Sequence, residues 1–277
     1  MGIPSIVDTV LKEYINLFYE HFPETMEGLY IHGSIALNSY VDDSSDIDFI
    51  TVTNRPLTEK DSDALSFIHS HLAKKYKKPE MDGVYILWED LGKLNQKSND
   101  VNYNYPFYNN KKLSFGNYFN FNPVTWWVFE KKGINILGTD PRDFQFDIQP
   151  QELFSYVLEN MNTYWVNRIQ KAEDSIDDLV KLPTDEIDFE IEWIVLGLLR
   201  QFYTLKEFDI VSKLGAGEYG LTEIAVEWHD IIKEAMNLRM GIKAKIFKTE
   251  MERMAHTIRF SKFLIRLCNN IIECKLT

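Results

Sequence analysis

Within residues 31–52, IHGSIALNSYVDDSSDIDFITV, Asp46 and Asp48 stand two apart, preceded by the pair Gly33-Ser34 and by Ser45. In a strand, side chains at i and i+2 share a face, roughly 6.5 to 7 Å apart along the chain, so the two carboxylates can share one cation. Hard oxygen ligands on a rigid strand, with room for water and phosphate oxygens, suit Mg²⁺. Gly33-Ser34 falls at a strand-to-helix junction, where glycine lets backbone N–H groups approach an anion and a helix N-terminus adds partial positive charge; phosphate fits such a place. An isolated D-x-D is more often a solvated acidic turn. A turn alone does not explain why two acids enter the strand itself, nor why Gly-Ser precedes them by a short helix-length spacer. His32, at the end of an apolar strand, reads more simply as packed and hydrogen-bonded than as a base.

The elements that must position these residues follow from periodicity. Ile6, Val10, Tyr14, Leu17 and Phe18 mark a helix over 5–22, and LYI at 29–31 a strand. A short helix through Ala36, a polar turn VDDSS and a period-2 strand DIDFITVT come next. Thr58 with Asp61 resembles a helix start, Leu65, Ile68, Leu72 and Tyr76 carry that helix, and MDGVYILW at 81–88 reads as a third strand. Strands alternating with helices imply an α/β layer. Beyond GINILGTDP, rich in turn formers, the pattern becomes helical: Leu153, Val157, Met161 and Trp165; Ile187, Ile191, Ile194 and Leu198; Met251, Met254, Ile258 and Phe263. The expected division is therefore an α/β domain, 1–148, and an all-α bundle, 149–277, closely packed with a cleft between them.

Composition narrows the classes. With 277 residues, 45% hydrophobic and 26% charged, the chain has enough apolar material for a core and resembles neither a disordered nor a fibrous sequence. No apolar run reaches the length of a membrane span, and Asp8 interrupts what a secretory leader would keep apolar, so a cytoplasmic protein without membrane partners is expected. Cys268 and Cys274 alone provide no disulfide framework and no Cys-rich zinc site. A formal charge of −12 disfavours nucleic acid as a partner, although many soluble enzymes are equally acidic.

The pattern Gly33, Ser34, Ser45, Asp46 and Asp48 resembles the nucleotidyltransferase superfamily. NPVTWWVFEKKGINILGTDP and WIVLGLLRQFYTLKEFDIVSKLGAGEYGL extend the resemblance to the streptomycin and spectinomycin adenylyltransferases with their C-terminal helical domain. The resemblance implies a mixed sheet with flanking helices followed by a helical bundle, and transfer of AMP from Mg·ATP to a hydroxyl of an aminocyclitol antibiotic. It implies Mg²⁺ on Asp46, Asp48 and a third carboxylate placed at Asp82, with ATP phosphates on Gly33, Ser34 and Ser45. That third position is typically a glutamate acting as base; the aspartate here is a departure, and Glu80 is the neighbouring alternative, itself readable as a surface acid.

In the second half, Glu186, Glu190, Trp193, Gly197 and Arg200 form one helical stripe, which periodicity alone reads as a solvated face. The resemblance instead puts Glu190 and Trp193 on the antibiotic and Arg200 and Lys213 on ATP, with Arg239 a further nucleotide-side candidate that helix-dipole capping also explains. Where family members that accept streptomycin carry a tryptophan, this chain has Tyr118, which favours spectinomycin and leaves an aromatic face for a sugar. A monomer is expected. The competing readings are an adenylyltransferase acting on a protein or another small molecule, and a catalytically silent nucleotide-binding homologue.

Overall fold

The computed structural model describes residues 2–94, 104–144, 146 and 148–276, with side chains described as far as residue 270. The chain divides into two units, Met1–Ile148 and Gln149–Thr277.

The first unit runs α1 (Ser5–His21), β1 (Met26–Ile31), the single turn α2 (Gly33–Ala36), β2 (Ile47–Thr53), α3 (Ser62–Lys75), β3 (Met81–Ile86), β4 (Tyr105–Asn109), β5 (Lys112–Gly116), α4 (Pro123–Lys132) and β6 (Ile134–Leu137). The strands form one mixed sheet in the order β5-β4-β3-β2-β1-β6, as expected of the fold class. Only β2 and β3 are parallel, and parallel neighbours require a crossover, which α3 supplies. Its entry carries the capping box of Thr58 and Asp61.

Val7, Val10, Leu11, Tyr14 and Phe18 of α1, with Leu65, Ile68 and Leu72 of α3, cover one face of the sheet against Ile47, Phe49, Met81 and Tyr85. Burying side chains of this kind contributes about 1.5–3 kcal/mol each. Within this layer Tyr14 Oη pairs with Thr51 Oγ1 at 2.7 Å and His69 Nε2 with Tyr85 Oη at 2.8 Å, while His69 Nδ1 is buried without a hydrogen-bond partner. Because strand side chains alternate, the inward set of Ile47, Phe49, Met81 and Tyr85 turns Asp48 and Asp82 to the opposite face.

Three strands lie outside the pattern read from the sequence. β4 and β5 form a hairpin turning on Asn110 and Lys111, both with positive φ (49° and 60°), the two-residue geometry whose twist matches the strands. β6 occupies INIL, read above as turn-rich because Gly133 and Gly138 bracket it; it is a four-residue edge strand on β1.

The second unit is all-helical: α5 (Pro150–Asn160), a π-helical turn (Met161–Trp165), α6 (Val166–Asp174), α7 (Ile176–Leu179), α8 (Thr184–Glu207), α9 (Lys213–Glu223), α10 (His229–Arg239) and α11 (Glu250–Leu276). α8 packs against α5, α9, α10 and α11, and Ile187, Ile191, Ile194, Val195, Leu198 and Leu199 along it are buried. Two details depart from the helical pattern. The stripe through Met161 and Trp165 is widened by the π turn, and the Trp165 ring lies where a Cβ on Gly197 would stand 2.5 Å from it. Met251 is exposed rather than buried, because the first turn of α11 points Arg253 inward instead.

Arg253 is fully buried, and its guanidinium donates to Glu234 (2.6 Å), Glu250 (2.6 Å) and Asp188. Burial opposes its charge, but these carboxylates hold the guanidinium above its ordinary range. Glu234, equally buried, also accepts the backbone N–H of Ile246 at 2.7 Å and of Phe247 at 3.3 Å, so one carboxylate fixes both α11 and the segment leading into it. Cys268 is buried as a free thiol, and the Cys274 side chain lies outside the described residues. No helix among the described residues is long and apolar enough to cross a membrane. Removing one partner of a buried ion pair typically costs about 3–5 kcal/mol. Arg253→Met is therefore expected to lower the denaturant midpoint of the helical unit, followed by tryptophan fluorescence; an unchanged midpoint would show that the network contributes no net stability.

Candidate functional site

In the first unit the parallel register of β2 on β3 sets Asp48 directly beside Asp82, with Ile47 beside Met81. Two carboxylates on one face of adjacent strands repel in the absence of a cation. Burial, the Asp48 charge, and smaller contributions from Asp46 and Glu80 push the Asp82 carboxyl up to about 7, against an opposing hydrogen bond from Asn109. Asn109 Nδ2 donates to Asp82 Oδ2, while Asp82 Oδ1 is buried with no hydrogen-bond partner. Asn109 was not singled out in the sequence. The signal was the hairpin turn that follows it, since pairing β4 on β3 brings its side chain to Asp82.

Gly33 has φ +61°, and a Cβ there would fall 1.8 Å from Asp48 Oδ2, so the Asp48 carboxylate lies in a space only glycine leaves open. The backbone N–H of His32 donates to the carbonyl of Asp48 (3.0 Å), joining this loop to β2. The His32 side chain is buried and burial pushes its imidazole down to about 4, so it is a packed neutral ring. The expected short helix is present as α2, a single turn too short for an appreciable macrodipole, and the Ser34 carbonyl accepts from Ser39 N at 2.9 Å.

Asp46 precedes β2 instead of lying within it, 3.5 Å from Lys78 Nζ. Glu80 likewise precedes β3 and is held by Lys78 and Lys111, each at 3.2 Å. Ser45 lies in the turn before β2, buried, and its Oγ accepts the N–H of Val41 at 3.0 Å. Tyr118 is also corrected. It is 1% exposed, packed among Phe107, Phe119 and Phe121, and offers no open face to a sugar; Phe119 is the exposed ring beside it.

A divalent cation fits this donor set by its chemistry: three carboxylates, one with an unpartnered buried oxygen and a pKa raised by its neighbours. Among the described residues no group of three or more His, Cys, Asp or Glu is gathered closely enough to hold a metal ion, the expected trio Asp46, Asp48 and Asp82 included.

In the second unit, Arg200, Lys213 and Arg239 come together around a residue that was not singled out in the sequence, Glu192. Lys213 Nζ donates to Glu192 Oε1 at 2.8 Å, and Arg239 Nη1 lies 3.4 Å from the same oxygen. Burial pushes the Lys213 ammonium down, Glu192 pushes it up, and the charges of Arg239 and Arg200 push it down again. Arg239 is 7% exposed, so capping of a solvated helix end does not account for it. Arg200 Nε donates to the Val211 carbonyl at 3.1 Å. Trp193 stacks on Phe189 with Lys213 Nζ 5.0 Å from its ring centroid. Glu190 is paired within the protein: Arg168 Nη2 engages both its oxygens at 2.6 and 2.7 Å.

Asp82 ionises near 4 in an unfolded chain and near 7 here. Between about pH 4 and about pH 7 the folded state holds a proton that the unfolded state lacks, so this group's contribution to stability falls as pH rises. Without added metal, Asp82→Asn should gain stability relative to the wild type across that window, measured by denaturant midpoints; parallel pH profiles would show that Asp82 titrates as an ordinary carboxylate.

Comparison with known proteins comes down to the two units. Residues 165–262 match the family model of the aminoglycoside adenylyltransferase C-terminal domain. A search of curated protein sequences finds no match. Among solved structures, the spectinomycin adenyltransferase AAD(9) from Enterococcus faecialis, determined with ATP and spectinomycin, is similar at a TM-score of 0.65 and 16% identity, covering 94% of this chain and 99% of that one. The structural likeness shows a shared fold and the family match covers most of the helical unit, and together they bear out the resemblance read from the sequence.

Proposed function

We propose that the chain is an O-adenylyltransferase that moves AMP from Mg·ATP to a hydroxyl of an aminocyclitol antibiotic, spectinomycin foremost. The observation that carries the reaction type is the pair Asp48 and Asp82, side by side on parallel strands with one buried oxygen lacking a partner. Asp46, Asp48 and Asp82 would hold Mg²⁺, which when bound neutralises phosphate charge. Gly33 and Ser34 give the nucleotide close access to backbone. Asp82, with a carboxyl near neutrality, takes the proton of the acceptor hydroxyl as its oxygen attacks the α-phosphorus and the bond to pyrophosphate breaks. The cations Lys213, Arg200 and Arg239 serve the anionic phosphates, by point charge and fork geometry respectively.

The acceptor class rests on the family match and, for spectinomycin, on what the AAD(9) structure holds. Trp193 offers an aromatic surface to it. Glu190 is shared with Arg168, which favours a modestly charged acceptor over a strong polycation. A cytoplasmic, monomeric enzyme without nucleic-acid partners completes the reading.

Incubation with Mg·ATP and a panel of aminocyclitols, followed by mass spectrometry, should show an AMP adduct on spectinomycin. No adduct on any of the panel, with ATP still bound, would move the acceptor to another class. Asp48→Asn should abolish transfer with the fold intact. Asp82→Asn should lower kcat by about 10²- to 10⁴-fold, the usual contribution of a general base, and Glu80→Gln should do little; the reverse ranking would assign the base to Glu80. Lys213→Ala should weaken ATP binding about tenfold or more while leaving acceptor affinity unchanged.

A further inference from the structure

Lys213 occupies an unfavourable position for an ammonium. It is the first residue of α9, whose Ser212 cap accepts from Gly215 N at 3.1 Å, so it stands at the positive end of a helix dipole. Its side chain is largely buried, and burial disfavours charge. The charged groups that face it are Arg200 and Glu192 from α8 and Arg239 from α10, two of the three of like sign. Three influences thus act against a charged Lys213, and one carboxylate acts for it. Glu192 is itself mostly buried, and the same oxygen that meets Lys213 is the one nearest Arg239.

We propose that Glu192 is a positioning residue whose single carboxylate keeps Lys213 in its charged form and aims it, together with Arg239, at phosphate oxygens. This rests on reading the cluster as the nucleotide's phosphate site. Lys213 and Arg239 share the same Glu192 oxygen, so one carboxylate directs both cations. Removing Glu192 does not simply free a cation. It leaves an ammonium buried beside two guanidiniums, which sheds its proton more readily and loses its fixed direction.

The test uses the full chain and two isosteric or conservative variants, Glu192→Gln and Glu192→Asp, with a non-hydrolysable ATP analogue titrated calorimetrically from about pH 7 to about pH 10, a range below the ordinary lysine pKa at its lower end. At neutral pH, Glu192→Gln should weaken the analogue about tenfold, the scale of one charge-assisted hydrogen bond. Its affinity should also fall away at a lower pH than that of the wild type, and Glu192→Asp should restore part of both. In the double variant Glu192→Gln with Lys213→Arg, the pH dependence should disappear, because a guanidinium does not titrate in this range. A merely structural glutamate would not move the pH profile. A Glu192→Gln profile that coincides with the wild type, or tighter binding at every pH, overturns the proposal.

NMR titration of the Lys213 side-chain nitrogen in the ligand-free protein separates this idea from the functional reading. A lower midpoint in Glu192→Gln supports the positioning role even if the wild type binds no nucleotide, a result that would instead sink the phosphate reading. An unchanged midpoint overturns the positioning role even if nucleotide binds well.

Discussion

Two carboxylates held abreast on adjacent parallel strands are the constraint around which the first unit is organised. Asp48 and Asp82 are in register on β2 and β3, and their mutual repulsion is worsened by burial at Asp82. Such an arrangement costs stability unless a cation or a proton relieves it. The layers behind it supply the rigidity that keeps the acids there: α1 and α3 seal the opposite face with aromatic and aliphatic side chains, tied by the Tyr14–Thr51 and His69–Tyr85 hydrogen bonds. Gly33 leaves out a Cβ that would push Asp48 aside. Each of these features makes sense if the repulsion is kept for a ligand, and a silent homologue would have no physical need of them.

The helical unit is organised by charge of the other sign. Lys213 of α9 and Arg239 of α10 meet Glu192 of α8 in a largely buried place, with the Arg200 charge acting on Lys213, within a chain whose formal charge is −12. A protein this acidic does not accumulate buried cations through composition alone. The contrast with Arg253 is instructive. There three carboxylates surround one guanidinium, the cluster is sealed, and its role is to fix α11 and the segment before it.

Several residues named from the sequence have the right address but a different task. Ser45 closes the turn that delivers Asp46 to the start of β2, and Tyr118 belongs to an aromatic cluster behind the acids. Glu190 is neutralised by Arg168 across the π turn's neighbouring helix. For Glu190 the partner lies 22 residues away, which spacing along one element does not reveal.

The sequence by itself determined the two-part architecture, the strand-and-helix order around the acids, the capping of α3 and the chemistry available at Gly33, Asp46, Asp48 and Asp82. It could do so because those features are local: a period of two or 3.6, a glycine at a junction, acids two apart. Tertiary structure alone decided the register of β2 on β3 that turns two acids into a repelling pair, the hairpin that brings Asn109 to Asp82, and the choice of Glu192 over Glu190 as the carboxylate that meets the cations. Glu190 and Glu192 are two residues apart on one helix and so face different neighbours by about 200° of rotation. Which of them meets Lys213 depends on how α9 and α10 pack against α8, a matter of long-range packing energy on which local periodicity carries no information.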